Sequence, residues 1–257
     1  MDILIISLVT FITAILTFFS GFGLGTILAP VFALFFPIDV AIALTGVVHF
    51  TNNLFKIALV GRKTNMQVLW RFGVPAILAA FGGAWLLMEM MDLPSLFQYT
   101  LFGNEYDISP VKLIIGLLLM VFSVIEVLPS IQRIRFAKDK LIIGGALSGF
   151  FGGLTGIQGA LRTAFLVRSG LSKEAFIATG VVIACLVDLT RLSVYASRFS
   201  AAHLHENTTL LISATLAAIG GALLGKKLLK KVTMRTIQLL VSVFLTLIST
   251  ALIFGWV

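Results

Sequence analysis

Charge and cysteine are both scarce in this chain. Of 257 residues only 12% are charged and six are proline, and the single cysteine, Cys185, excludes an internal disulfide. From Ile3 to Ile38 no charged residue occurs at all. That run exceeds the roughly 20 apolar residues that span a bilayer core, so it excludes a soluble globular domain and makes the lipid bilayer the first partner. Zinc-ligand spacings, a nucleophile elbow and a P-loop are all absent, and His49, His203 and His205 form no cluster in sequence. No catalytic residues, metal site or cofactor are therefore expected; an enzyme and an ATP-driven pump are both disfavoured. Met1-Asp2-Ile3 lacks the basic stretch that opens a secretory signal, so the first apolar segment is expected to belong to the folded protein.

What the chain has in abundance is apolar surface: 59% of residues are hydrophobic. Apolar segments run over 3–20, 24–36, 40–60, 69–91, 111–129, 141–153, 158–168, 175–196, 208–225 and 236–256. The formal net charge of +8 could mean nucleic acid, but its placement argues otherwise. Fourteen of the 19 basic residues fall in four loops: Arg62, Lys63 and Arg71; Arg133, Arg135, Lys138 and Lys140; Arg168 and Lys173; and Lys226, Lys227, Lys230, Lys231 and Arg235. The alternate loops hold Asp39, Asp92, Glu105, Asp107 and Glu206. By the positive-inside rule the basic loops are cytoplasmic, so basicity reports orientation and no nucleic-acid partner is expected. Both termini then lie outside a cell (inner or plasma) membrane that the chain crosses many times.

The sequence also repeats itself. Thr45-Gly46-Val47-Val48 returns as Thr179-Gly180-Val181-Val182, 134 residues later, each copy 20 residues after a glycine, Gly25 or Gly159. Leu78-Ala79-Ala80 with Gly82-Gly83-Ala84 returns as Leu216-Ala217-Ala218 with Gly220-Gly221-Ala222. Five segments per copy is an odd number, so the second copy enters from the opposite side. The expected fold is all-α and integral to the membrane, with inverted repeats at 1–129 and 141–257 joined by a basic cytoplasmic linker at 130–140.

Segments two, six and seven contain only 11 to 13 residues. At about 1.5 Å rise per residue they cover roughly 17 to 20 Å, too little for a core of about 30 Å, so they are expected to form re-entrant hairpins near the midplane. Gly21, Gly23 and Gly25 in one copy, and Gly149, Gly152, Gly153, Gly156 and Gly159 in the other, stand where those hairpins turn. Unwound backbone at that depth must pack on protein or line a wet cavity. A helix that begins there offers free N–H groups and the positive end of its dipole, a ready cradle for an anion. Ser20, Thr26, Thr155, Gln158 and Arg162 flank the two turns and add hydroxyl, amide and guanidinium donors. Against this, Arg162 could snorkel to the interface. The pairs Gly82-Gly83 and Gly220-Gly221 are read as close helix packing instead.

A second set of polar residues lies inside the apolar segments. His49, Asn52, Asn53 and Lys56 share one face of segment three, with Thr45 a turn away; Asp188, Arg191 and Tyr195 make a comparable stripe on segment eight. Such stripes face the bundle interior. Three roles stay open for them: lining the substrate path, coupling or gating through Lys56, Asp188 and Arg191 with a proton or ion, and bonding one helix to another.

The stretch Ser20-Gly-Phe-Gly-Leu-Gly-Thr-Ile-Leu-Ala-Pro30, its echo Gly152-Gly-Leu-Thr-Gly-Ile-Gln-Gly159, and the Thr-Gly signature after each resemble the TauE/SafE sulfite exporter family over nearly the whole length. The resemblance implies a secondary transporter of sulfite or small organosulfur anions, with the glycine motifs of both halves around the substrate. Gln158 and Ala160 stand where that family usually has glycine, and Arg162 where it commonly has an apolar residue. An added arginine would suit a larger or more highly charged anion, such as a sulfonate that carries a carboxylate.

The expectation is thus alternating-access transport of a small sulfur oxyanion, with Ser20, Gly21, Gly23, Gly25, Thr26, His49, Asn52, Asn53, Thr155, Gly156, Gln158, Gly159 and Arg162 around it. An anion channel, or a metal or cation transporter built on His49 and Asp188, are the alternatives. A homo-oligomer is a candidate assembly.

Overall fold

The computed structural model describes residues 2–17, 24–128, 136–199, 207–228 and 234–257. Ten helices are seen among them, one for each apolar segment of the sequence: α1 Asp2–Thr17, α2 Leu24–Ala33, α3 Ile38–Val60, α4 Met66–Met91, α5 Pro110–Val127, α6 Leu141–Thr155, α7 Gly159–Leu166, α8 Lys173–Phe199, α9 Thr208–Leu228 and α10 Met234–Ile253. Four spans are long and apolar enough to cross a membrane: Val40–Lys63, which runs on from α3 through a 3-10 turn at Gly61–Lys63, Met66–Met91, Lys173–Ala196 and Thr208–Gly225. The outward faces carry Leu4, Leu78, Phe81, Trp85, Leu216 and Leu247, each more than half exposed, as lipid-facing side chains require. The protein is an all-α membrane protein.

Local chemistry sets the helix ends. Asn65 caps α4 by accepting from the Val68 N–H at 3.0 Å, and its own N–H donates to Thr179 Oγ1 at 2.9 Å, which fixes the start of α4 on α8. Pro75 would clash with the carbonyl four residues back in a regular α-helix; a π-turn over Leu69–Gly73 lies just before it and absorbs the mismatch. Ser109 caps α5 and Pro110 occupies its first turn.

The most extensive helix contacts run between the two halves of the chain. α1 packs on α9, α4 on α6, α3 on α8 and α5 on α10. Small residues set the closest of these contacts. A Cβ on Gly145, Gly149 or Gly153 would overlap the backbone of Phe72, Ala76 or Ala80, and one on Gly83 would overlap Phe150, so α4 and α6 touch main chain to main chain. Gly221 meets Phe11 and Ala14 of α1 in the same way. Hydroxyls tie α5 to α10: Ser123 Oγ lies 2.7 Å from Ser242 Oγ and 2.6 Å from Thr246 Oγ1.

One element departs from the all-helical expectation. Residues Phe97–Leu101 (β1) and Asn104–Ile108 (β2) form an antiparallel hairpin between α4 and α5. Its two-residue turn has positive φ at both Phe102 (51°) and Gly103 (81°), the twist that two-residue hairpins favour. The hairpin is clasped to the chain end: Tyr99 Oη donates to the Phe254 carbonyl at 2.7 Å and accepts from Trp256 Nε1 at 2.9 Å.

Candidate functional site

The chain unwinds in its interior between α6 and α7. Gly156 ends α6 with φ 78°, a left-handed conformation that an L side chain resists, and Gln158 precedes α7 with φ −121°. Residues 152–159 are all buried. The freed backbone groups find local partners. Thr155 Oγ1 donates to the Phe151 carbonyl at 2.9 Å and accepts from the Ile157 N–H at 3.2 Å, and Ser148 Oγ donates to the Gln158 carbonyl at 3.2 Å. Tyr195 Oη, buried on α8, donates to the Gly153 carbonyl at 2.5 Å and fixes α6 just before its break.

The start of α2 meets this break. A Cβ on Gly25 would lie 3.2 Å from the Gly156 carbonyl oxygen, 3.7 Å from Thr45 Cγ2 and 3.8 Å from His49 Cδ2. The two glycine-rich stretches, far apart in sequence, therefore touch at Gly25 and Gly156, with α3 closing one side. Every residue of α2 is buried, Thr26 included.

Asp188, fully buried on α8, is the hub of the polar centre. His49 Nδ1 lies 2.6 Å from Oδ2; an ionised carboxylate only accepts, so Nδ1 carries the hydrogen. Asn53 Nδ2 donates to the same oxygen at 3.1 Å, and Arg191 Nε donates to Oδ1 at 3.1 Å. Arg191 Nη2 is 3.0 Å from Oδ1 but has no N–H aligned on it, so this contact is ionic rather than a hydrogen bond. The stripes of segments three and eight, read separately in the sequence, thus interlock across the α3–α8 contact.

Two arginines flank this carboxylate, each against a glycine of one Thr-Gly-Val-Val copy. A Cβ on Gly46 would lie 3.5 Å from Arg191 Cζ, and a Cβ on Gly180 would lie 3.5 Å from Arg162 Nε. Arg162 is 9% exposed, and its Nη1 donates to Gln158 Oε1 at 3.0 Å. That places it inside the protein rather than snorkelling. Gly180 precedes Asp188 by eight residues on α8, about 12 Å of rise, while Arg191 follows it by three. The guanidiniums are therefore displaced to opposite sides of Asp188 along the helix. Lys56, half-buried on α3, lies within electrostatic range of Arg162.

Several buried polar atoms here have no hydrogen-bond partner among the described residues: Thr45 Oγ1, Asn52 Nδ2 and Oδ1, Gln158 Nε2, and Arg191 Nη1 and Nη2. Each such group costs about 1–3 kcal/mol when left unsatisfied, so a cluster of them marks a place built for something else to bind. One carboxylate stands against two guanidiniums, and most of the open groups are donors. The arrangement favours an anion.

Of the residues expected at the site, Gly25, Thr26, His49, Asn52, Asn53, Thr155, Gly156, Gln158, Gly159 and Arg162 are buried in this region, as are Asp188 and Arg191. Ser20, Gly21 and Gly23 lie outside the described residues. Sequence reading passed over Ser148, Gly46 and Gly180. A glycine in mid-helix was the available signal for the last two, since it marks a close approach.

Comparison with curated proteins gives no match, and comparison with solved structures gives none either. The family model described as "Sulfite exporter TauE/SafE" matches residues 6–252.

Proposed function

The chain belongs to the sulfite exporter TauE/SafE family, and from that membership together with the buried donor cluster we propose that it is a secondary transporter carrying a small sulfur-containing oxyanion past Asp188. Membership makes it a multi-pass membrane protein of a transporter family. The observation that carries the finer reading is the buried, unwound stretch at Gly156–Gln158, facing Gly25 and flanked by Arg162, Arg191 and unpartnered donors. Unwound backbone of this kind is what the broken helices of transporters place at their substrate sites. Asp188 already receives His49, Asn53 and Arg191. A metal or other cation would have to displace those donors, which weighs against the cation alternative.

The pairing of helices supports two repeats related by a two-fold axis, and the alternation of basic loops reads that relation as inverted. Exchanging α1 to α5 for α6 to α10 turns α1·α9 into α6·α4 and leaves α3·α8 and α5·α10 unchanged; the weaker contacts α3·α9 and α8·α4 also interchange. In this reading α2 and α7, only 10 and 8 residues long, are the re-entrant arms, and the two halves rock against each other to expose the centre alternately. The basic loops place both termini outside the cell membrane.

Thermal stabilisation of the purified protein in detergent tests this. Sulfite, sulfoacetate, taurine, sulfate, thiosulfate and acetate are compared on wild type and Arg162→Ala. A ligand at about 100 times its dissociation constant adds about 2.7 kcal/mol, which is readily seen. The expected result is stabilisation by at least one sulfur oxyanion and at least a tenfold weaker response in Arg162→Ala. Stabilisation by none of the anions, or equal responses in both proteins, would contradict it.

A further inference from the structure

We infer that the Arg191 guanidinium is itself a seat for the transported anion, and that Asp188 is a built-in competitor which occupies part of that seat when the anion is away. This rests on the anion-transport reading above and extends it from Arg162 to the other side of the carboxylate.

Four observations converge on Arg191. It is the largest fully buried side chain among the described residues, at 0% exposure, and an arginine so placed must have its donors answered. Asp188 answers only one edge, through Nε at 3.1 Å and the ionic contact to Nη2. Nη1 and Nη2 are left without hydrogen-bond partners among the described residues. Tyr195 Oη lies beside the guanidinium and interacts with it as an acceptor only, since its own hydrogen goes to Gly153. A planar fork whose two terminal nitrogens lack hydrogen-bond partners among the described residues is the donor set that grips two oxygens of one oxyanion at once.

The walls around that edge are the backbone of Gly156 and Gly46 together with the Leu192 side chain, whose Cδ2 lies 2.9 Å from where a Cβ on Gly46 would stand. Nη1 lies 2.6 Å from where a Cβ on Gly156 would stand, and Nη2 lies 3.6 Å from the same point on Gly46. The fork is thus laid against the turn that leads into α7, so backbone N–H groups at the start of that helix and Gln158 Nε2, also unpartnered, belong to the same polar region. Thr45 Oγ1, one residue from Gly46, adds a hydroxyl without a partner. The ligand class that fits is a compact oxyanion with at least two oxygens on one atom, such as a sulfite, sulfonate or carboxylate head.

Asp188 presents the same chemistry from inside the protein: a carboxylate on the guanidinium. An incoming anion competes with it for Arg191, so the wild-type protein binds its substrate more weakly than the donor set alone would allow. For a carrier that must also release its cargo, such competition is useful. Neutralising Asp188 frees the fork, and affinity rises.

Calorimetric titration of the detergent-purified full chain with sulfite and, in parallel, sulfoacetate tests the assignment. The proteins are wild type, Asp188→Asn, Arg191→Lys, Arg162→Ala and the double variant Asp188→Asn/Arg191→Gln. The expected results are at least tenfold tighter binding in Asp188→Asn, and at least tenfold weaker binding in Arg191→Lys, which keeps the charge beside Asp188 but loses the fork. The double variant removes both charges together, so it stays folded by thermal denaturation and does not bind. Wild-type affinity in the double variant or in Arg191→Lys would overturn the assignment, as would unchanged or weaker binding in Asp188→Asn. If only Arg162→Ala lost binding, the transport reading would stand and the Arg191 seat would fall. If wild type bound neither anion, both would fall.

Discussion

Asp188→Ala is expected to destabilise the folded protein by about 3–5 kcal/mol, the cost typical of stripping one partner from a buried ion pair. The reason lies in what would be left behind rather than in the strength of the pair. Arg191 is fully buried and has no other carboxylate against it among the described residues, while His49 and Asn53 would each lose an acceptor. Replacing both charges with neutral groups should cost far less, because no ion is then stranded. Thermal denaturation in detergent, read by intrinsic fluorescence or by loss of monodisperse protein, separates the two cases. A single variant as stable as wild type would mean that Arg191 finds another counter-charge, and the hub described above would be wrong.

The second large effect concerns two adjacent glycines with opposite fates. Gly83→Ala should destabilise at or beyond the upper end of the ~1–3 kcal/mol usual for overpacking, because its Cβ would meet the Phe150 carbonyl and the Leu154 nitrogen, backbone atoms that cannot rotate away. Gly82→Ala should stabilise by about 1 kcal/mol: nothing lies within 4 Å of its Cβ position, and alanine is the better helix former. Gly153→Leu, which pushes from the α6 side against Ala80, should abolish the folded form. The same denaturation assay reads all three. Equal shifts in Gly82→Ala and Gly83→Ala would show that main-chain contact between α4 and α6 is not what holds these helices.

Much of this architecture was legible because membrane helices announce themselves by unbroken apolar runs, and breaks in them by glycine. The ten segments of the sequence correspond to α1 to α10; of the three read as short, α2 has 10 residues and α7 has 8, while α6 runs to 15. Reading Gly82-Gly83 as a packing pair holds for Gly83 and not for Gly82, which has nothing within 4 Å, whereas in the matching pair both Gly220 and Gly221 face Phe11. The hairpin at 97–108 was not expected. Its signal was present, as two aromatic and β-branched stretches around Phe102-Gly103, but a polar connector in an apolar chain draws attention only to its charge.

The polar centre was half legible. Spacing of i, i+3 and i+4 placed His49 with Asn53 and Asp188 with Arg191, because helical periodicity is local. That His49 would reach Asp188, 139 residues away, depends on how α3 crosses α8, and no periodicity encodes a crossing. The Thr-Gly-Val-Val copies were visible as a sign of duplication. Their glycines turn out to lie beside one guanidinium each, Arg162 at Gly180 and Arg191 at Gly46, where Leu192 comes closer still, which only distances could disclose.

The measurement that bears most directly on the central claim is counterflow in proteoliposomes. Vesicles holding the purified protein are loaded with unlabelled sulfite and diluted into a trace of radiolabelled sulfite, with protein-free vesicles and Arg162→Ala beside them. The account predicts a transient accumulation of label above equilibrium, saturable with sulfite and reduced at least tenfold in Arg162→Ala. Label that equilibrates without overshoot would indicate a channel through the same centre. No protein-dependent uptake of sulfite, with sulfoacetate and thiosulfate equally silent, would contradict the account.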